Sequence, residues 1–131
     1  MKASPDVHEV ALVVGVAIAG AIGAPARFVV ERVLRVRWPA DWPWGTFLVN
    51  VSGSLALGLV VGLVLAQGVD PDVRTIVGTG FLGAYTTFSA YAYETVRIGT
   101  VPRRGLAVAY AFGSVLASVL AAAIGLALTG A

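Results

Sequence analysis

Four long apolar runs, separated by short polar loops, make up most of this 131-residue chain. Val10–Val30 contains one Arg, and Gly45–Ala66, Thr75–Tyr93 and Gly105–Ala131 contain no charged residue. A helix needs about 20 mostly apolar residues to cross a hydrocarbon core of about 30 Å. The pattern therefore predicts an all-α integral membrane protein. It has four transmembrane helices, at about 10–33, 45–66, 75–93 and 105–129, in one membrane domain. The first run exceeds the apolar core of a signal peptide, about 7–15 residues, and is read as a span.

Local signals refine these elements. Pro25 removes a backbone donor inside the first span and is expected to kink it. That span ends among Arg32, Arg35 and Arg37, with Glu31 one helical turn before Arg35. Trp38, Trp42 and Trp44 follow, and Trp beside an apolar run marks the headgroup level. Ser54, Gly58 and Gly62 form a small-residue stripe suited to close helix approach. In Asp70-Pro71-Asp72, an Asp cap precedes Pro at the first helical position. Glu94 and Arg97 close the third span, and Pro102-Arg103-Arg104 forms the last loop.

Composition narrows the class further. The chain is 58% hydrophobic and 12% charged, against about 45–50% and about 25% in soluble domains. The net charge of +2 comes from Arg residues in short loops. There they act as topology signals, so membrane lipid is the expected surroundings and nucleic acid is not a partner. Cysteine is absent and the single His, His8, lies in the N-terminal tail with no expected role.

Within the four apolar runs there is no Asp, Glu, His, Lys or Cys. An enzyme needs a positioned acid, base, nucleophile or metal, so none is expected here. Proton-coupled exporters generally need a buried carboxylate or His, which argues against that class too. Hydroxyls, one amide and aromatic rings remain, concentrated in two segments. In Gly45–Gly53, Asn50 either serves a pore or bonds across to a neighbouring helix. In Gly78–Ser89, three Gly and the Thr86-Thr87 pair are poor helix formers. Either the helix breaks there and its freed backbone groups line a cavity or bind ions, or it stays intact and the glycines serve packing.

At these residues the chain resembles the Fluc/CrcB family of fluoride channels over nearly its whole length. Gly23-Ala24-Pro25-Ala26-Arg27-Phe28 is similar to the family's first-span signature. Gly45-Thr46 with Asn50 and Gly53 resembles its second-span motif, and Gly83 with Thr86-Thr87-Phe88-Ser89 its third-span break. The resemblance implies an antiparallel dimer of four-helix subunits, a broken third helix and two fluoride pores along the subunit boundary. It also implies a central, structural Na⁺ held by the backbone carbonyls of Gly83 and Thr86. Asn50 would donate its amide N–H to fluoride, and Phe88 would present its ring edge, where the quadrupole is positive. Thr87 and Ser89 would stand beside the pore, Tyr110, Ser114 and Ser118 would form a polar track on the fourth span, and Arg27 would sit in a vestibule. The i, i+4, i+8 spacing puts the last three hydroxyls on one helix face. Two positions depart from the pattern: Tyr91 stands where the family has a second pore Phe, and Ala84 where it has a second Gly.

The function expected on this basis is passive exit of cytoplasmic fluoride through the cell membrane, reducing its toxicity. The rivals are a non-conducting assembly partner and a small proton-coupled exporter. Loop charges add a statement about orientation. Lys2 and Arg74 fall on one side, and Arg32, Arg35, Arg37, Arg97, Arg103 and Arg104 on the other. The imbalance favours one orientation, with the Arg-rich loops in the cytoplasm. The antiparallel partner is then either an inverted copy of this chain or an oppositely oriented homologue.

Overall fold

The computed structural model describes residues 6–100 and 102–131; Lys2 lies outside them. Among the described residues, three helices are long and apolar enough to cross a membrane: α1 (Val7–Arg37), α2 (Trp44–Gln67) and α6 (Arg104–Ala127). Between α2 and α6 lies a segment in four pieces: α3 (Pro71–Val73), a π-helix (Arg74–Leu82), α4 (Gly83–Tyr85) and α5 (Phe88–Gly99). The all-helical expectation holds for the described residues. The segment read as the third span is interrupted where the backbone leaves helical geometry at Thr86 and Thr87, the break that the resemblance implies.

Each boundary has a local cause. Asp70 caps α3 by accepting from the Asp72 N–H at 2.9 Å, with Pro71 in the first turn. Gly68 ends α2 in the left-handed region at φ 68°, a conformation that excludes most side chains. Pro25 does not terminate α1, which continues to Arg37; the missing N–H withdraws only the bond to the Ala21 carbonyl. Glu31 and Arg35 form no ion pair, and one Glu31 carboxylate oxygen is buried without a hydrogen-bond partner.

Small residues set the packing. A Cβ at Gly58 would collide with the Ala122 carbonyl, and one at Gly125 with the Leu55 carbonyl, so α2 and α6 cross in backbone contact. Gly23 and Gly80 give α1 the same closeness to the π-helix. Contacts also sort the two ends of the bundle. His8 meets Asp72 at 2.9 Å, and Gln67 donates to the Thr129 carbonyl at 3.5 Å. At the other end, Asp41 pairs with Arg103, joining the loop before α2 to the one before α6. The side chains left outside are largely apolar, among them Val13, Ile18, Phe28, Phe112 and Leu116. A face of that kind belongs against lipid or a partner subunit.

Candidate functional site

Thr86 and Thr87 are both extended, with ψ of 160° and 123°. Two adjacent β-branched residues disfavour the helix, and Thr is a preferred N-cap. The Thr87 hydroxyl caps α5 by accepting from the Ala90 N–H at 3.2 Å, and it stands 3.2 Å from the Ser89 hydroxyl. Thr86 closes the preceding turn: its N–H and its hydroxyl both donate to the Leu82 carbonyl, each at 2.9 Å.

Asn50, on α2, spans the gap. Its Nδ2 donates to the Thr87 carbonyl at 2.9 Å, and its Oδ1 accepts from the Thr87 N–H at 2.8 Å. The break thus has an amide partner on both sides, which lipid could not supply. Two further carbonyls are released. In an unbroken helix, Gly83 would accept from the Thr87 N–H and Thr86 from the Ala90 N–H. Those donors are engaged by Asn50 and by the Thr87 hydroxyl.

The break opens on a cleft of about 350 Å³. Of the residues singled out from sequence, Asn50, Gly83, Thr86, Thr87, Phe88, Tyr91, Ser114 and Ser118 line it. None of its lining residues is an acid, Lys, Arg or His. Its walls are Leu57, Leu82, Val115 and Val119, so its polar groups are an amide, hydroxyls and free backbone in an apolar frame. The N-terminal turn of α5 borders it, adding the partial positive charge of a helix start. Phe88 is 79% exposed, and its ring centroid lies 5.6 Å from that of Tyr91.

Three of the singled-out residues stand elsewhere. Ser89 reaches the site only through Thr87. Tyr110 is fully buried in an aromatic cluster, 5.3 Å from the Trp42 ring and 5.8 Å from that of Tyr91. Arg27 does not line the cleft, and its Nε is buried without a partner. The polar track is therefore divided: Ser114 and Ser118 face the cleft, while the Tyr110 and Ser114 hydroxyls have no hydrogen-bond partner among the described residues. The Tyr91 hydroxyl is turned away from the cleft's polar groups and donates to the Ala111 carbonyl at 3.0 Å.

Further residues hold these helices in place. The Ser52 hydroxyl lies 3.2 Å from that of Tyr85, tying α2 to the last turn before the break. Gly53 is required because a Cβ there would meet the Thr86 methyl. Glu94 is buried at 7% exposure and accepts from Arg97 Nε at 2.6 Å. The Gly-Thr-Asn-Gly spacing held a signal for Gly53; nothing in sequence separated Ser52 or Tyr85 from ordinary span residues.

A family model described as CrcB-like protein, Camphor Resistance (CrcB), matches residues 14–126. A protein of Leifsonia xyli subsp. xyli named fluoride-specific ion channel FluC 1 is 46% identical over 91% of this chain and 87% of its own length. One of the same name from Frankia casuarinae is 47% identical over 87% of this chain and 93% of its own. Fluoride-specific ion channel FluC 2 of Mycobacterium bovis is 40% identical over 88% and 89%.

Proposed function

The chain belongs to the CrcB family, and on that premise we propose that it is a fluoride-specific channel. It is a multi-pass membrane protein, and its relatives are ion channels, not enzymes. Through it, cytoplasmic fluoride leaves passively down its electrochemical gradient. A potential of about 100 mV is worth about 2.3 kcal/mol per unit charge, enough to drive a monovalent anion outward without coupling.

The uncharged cleft at the helix break carries this reading. Fluoride must lose much of its water to enter an apolar passage, so donors have to replace that water. Asn50 uses one of its two amide N–H groups on Thr87, leaving the second for an anion. Phe88 and Tyr91 offer ring edges, and Thr87, Ser114 and Ser118 offer hydroxyls. Ser89 supports the polar path through Thr87, Tyr110 would join it only if its buried hydroxyl were exposed through Ser114, and Arg27 draws anions toward a vestibule.

The described segment 71–99 makes the fourth crossing as two helical halves, running from the His8 end to the Asp41 end. The working unit is an antiparallel dimer, with itself or with an oppositely oriented homologue, and the cleft is completed by the partner. The released carbonyls of Gly83 and Thr86 fit a hard cation that takes oxygen ligands. Two carbonyls are too few for one ion, so the second subunit supplies the rest. Na⁺ held there supplies fixed positive charge between the two breaks, is structural and is not transported.

The deciding experiment uses proteoliposomes loaded with potassium fluoride, with the same low concentration of Na⁺ on both sides of the membrane. After valinomycin is added, fluoride should leave rapidly, while chloride in parallel vesicles should stay. Fluoride retention equal to that of protein-free vesicles overturns the proposal.

A further inference from the structure

The loop between α1 and α2 forms a groove remote from the cleft. Its volume is about 600 Å³, and Arg37, Trp38, Pro39, Ala40, Trp44 and Leu48 line it. Five of these are apolar and one is a cation. Trp38 and Trp44 stand edge to face, with ring centroids 6.3 Å apart, and remain 51% and 38% exposed. Two aromatic walls left this open invite an apolar occupant.

Charge indicates what the other end of that occupant carries. Arg32, Arg35 and Arg37 all lie exposed in the last turns of α1. The loop's own acid, Asp41, is paired with Arg103 from the third loop. Among the described residues no acid pairs with Arg37. An ion with a phosphate and a long apolar body would satisfy both halves of the groove. Trp at the end of a span sits at headgroup depth, which puts phosphates level with Arg37 and acyl chains level with Leu48. A zwitterionic lipid brings its own cation near the guanidinium groups, whereas an anionic one does not.

We propose that this groove holds one anionic phospholipid, its phosphate on Arg37 and an acyl chain along Trp38, Trp44 and Leu48. The site does not depend on what ion the chain conducts.

The test starts from protein reconstituted in vesicles of equal parts phosphatidylcholine and phosphatidylglycerol. It is re-extracted in mild detergent and weighed intact by native mass spectrometry, with helicity checked by circular dichroism. The wild type should retain phosphatidylglycerol in preference to phosphatidylcholine. Arg37→Gln should lower that retention about fivefold, the effect of one Arg near an anionic surface. Trp38→Ala should also lower it, and Arg104→Gln, at the start of α6 and outside the groove, should not. Equal retention of the two lipids by the wild type overturns the site. So does wild-type retention by both groove variants, or a loss with Arg104→Gln as large as with Arg37→Gln.

Discussion

Asn50 and Thr87 grip each other through two opposed hydrogen bonds, amide to carbonyl at 2.9 Å and N–H to amide oxygen at 2.8 Å. The amide does for this stretch of backbone what the next helical turn would have done. Asn50 is thus a structural member of the break as well as a proposed pore donor, and the two roles separate by substitution.

Asn50→Ala leaves a partly buried N–H and carbonyl of Thr87 unpaired, at about 1–3 kcal/mol each. A clear fall in melting temperature in detergent is expected, together with loss of fluoride efflux. Asn50→Asp keeps an acceptor for the Thr87 N–H but sets an oxygen against its carbonyl and a negative charge beside the anion path. It should abolish efflux with a smaller loss of stability. An unchanged melt for the Ala variant would show that the break stands without its clamp.

Phe88 and Tyr91 should behave differently. Phe88 is 79% exposed, so Phe88→Leu is expected to shift stability by no more than about 0.5 kcal/mol while slowing efflux. Tyr91→Phe removes the bond to Ala111, costing about 1 kcal/mol, but preserves the ring beside the cleft. Efflux from that variant should be close to wild type. A large loss would put the Tyr91 hydroxyl on the conduction path.

The α2–α6 crossing gives a packing test with an internal control. In Gly58→Ala the new methyl meets the Ala122 backbone, which cannot yield as a flexible side chain would, at a cost of about 1–3 kcal/mol. Gly105→Ala meets nothing within 4 Å and improves helix propensity. Thermal melts of the two variants should move in opposite directions.

The proposed cation site predicts sensitivity to Na⁺ that side chains hardly modulate. Replacing all Na⁺ by N-methylglucamine should stop efflux and lower the melting temperature. Thr86→Ser keeps the backbone oxygen and the hydroxyl bond to Leu82, and should respond to Na⁺ as the wild type does. Equal efflux with and without Na⁺ would remove the ion from the architecture.

Orientation can be read from a C-terminal reporter that distinguishes cytoplasm from exterior. The Asp41–Arg103 and His8–Asp72 pairs put the Arg-rich loops at one end of the bundle and the N-terminal turn of α1 at the other. The charge bias then predicts a reporter signal from outside only when this chain is expressed alone. Equal signals from both sides would make it a dual-topology chain, able to build the proposed antiparallel dimer from itself.

What the sequence revealed and what it withheld follow from the range of each interaction. The break was visible as a cluster of Gly and paired Thr, and the Asp70 cap as an Asp-Pro-Asp triplet, because both are local. The π-winding of Arg74–Leu82 left no such mark, since it changes which carbonyl each N–H reaches without demanding a particular side chain. Pro25 lies inside α1 and does not end it, because one missing N–H withdraws only one of the helix's many backbone bonds. The partners of Asn50 and His8 lie 37 and 64 residues away, and single residue types do not encode such pairings.

The π-helix carries a consequence for how the gene tolerates insertions and deletions. A π-turn holds more residues than an α-turn, so Arg74–Leu82 contains slack that a shorter α-helix could absorb without unfolding. Losing one codon there would tighten the π-winding toward an α-helix and leave the downstream register near its place, with Thr87 still facing Asn50. Losing one codon between Asn50 and Gly58, in the regular α-winding of α2, would instead turn Asn50 by about 100° relative to the Gly58–Gly125 crossing. One-codon deletions within Arg74–Leu82 should therefore keep efflux, whereas the same deletion in α2 should abolish it.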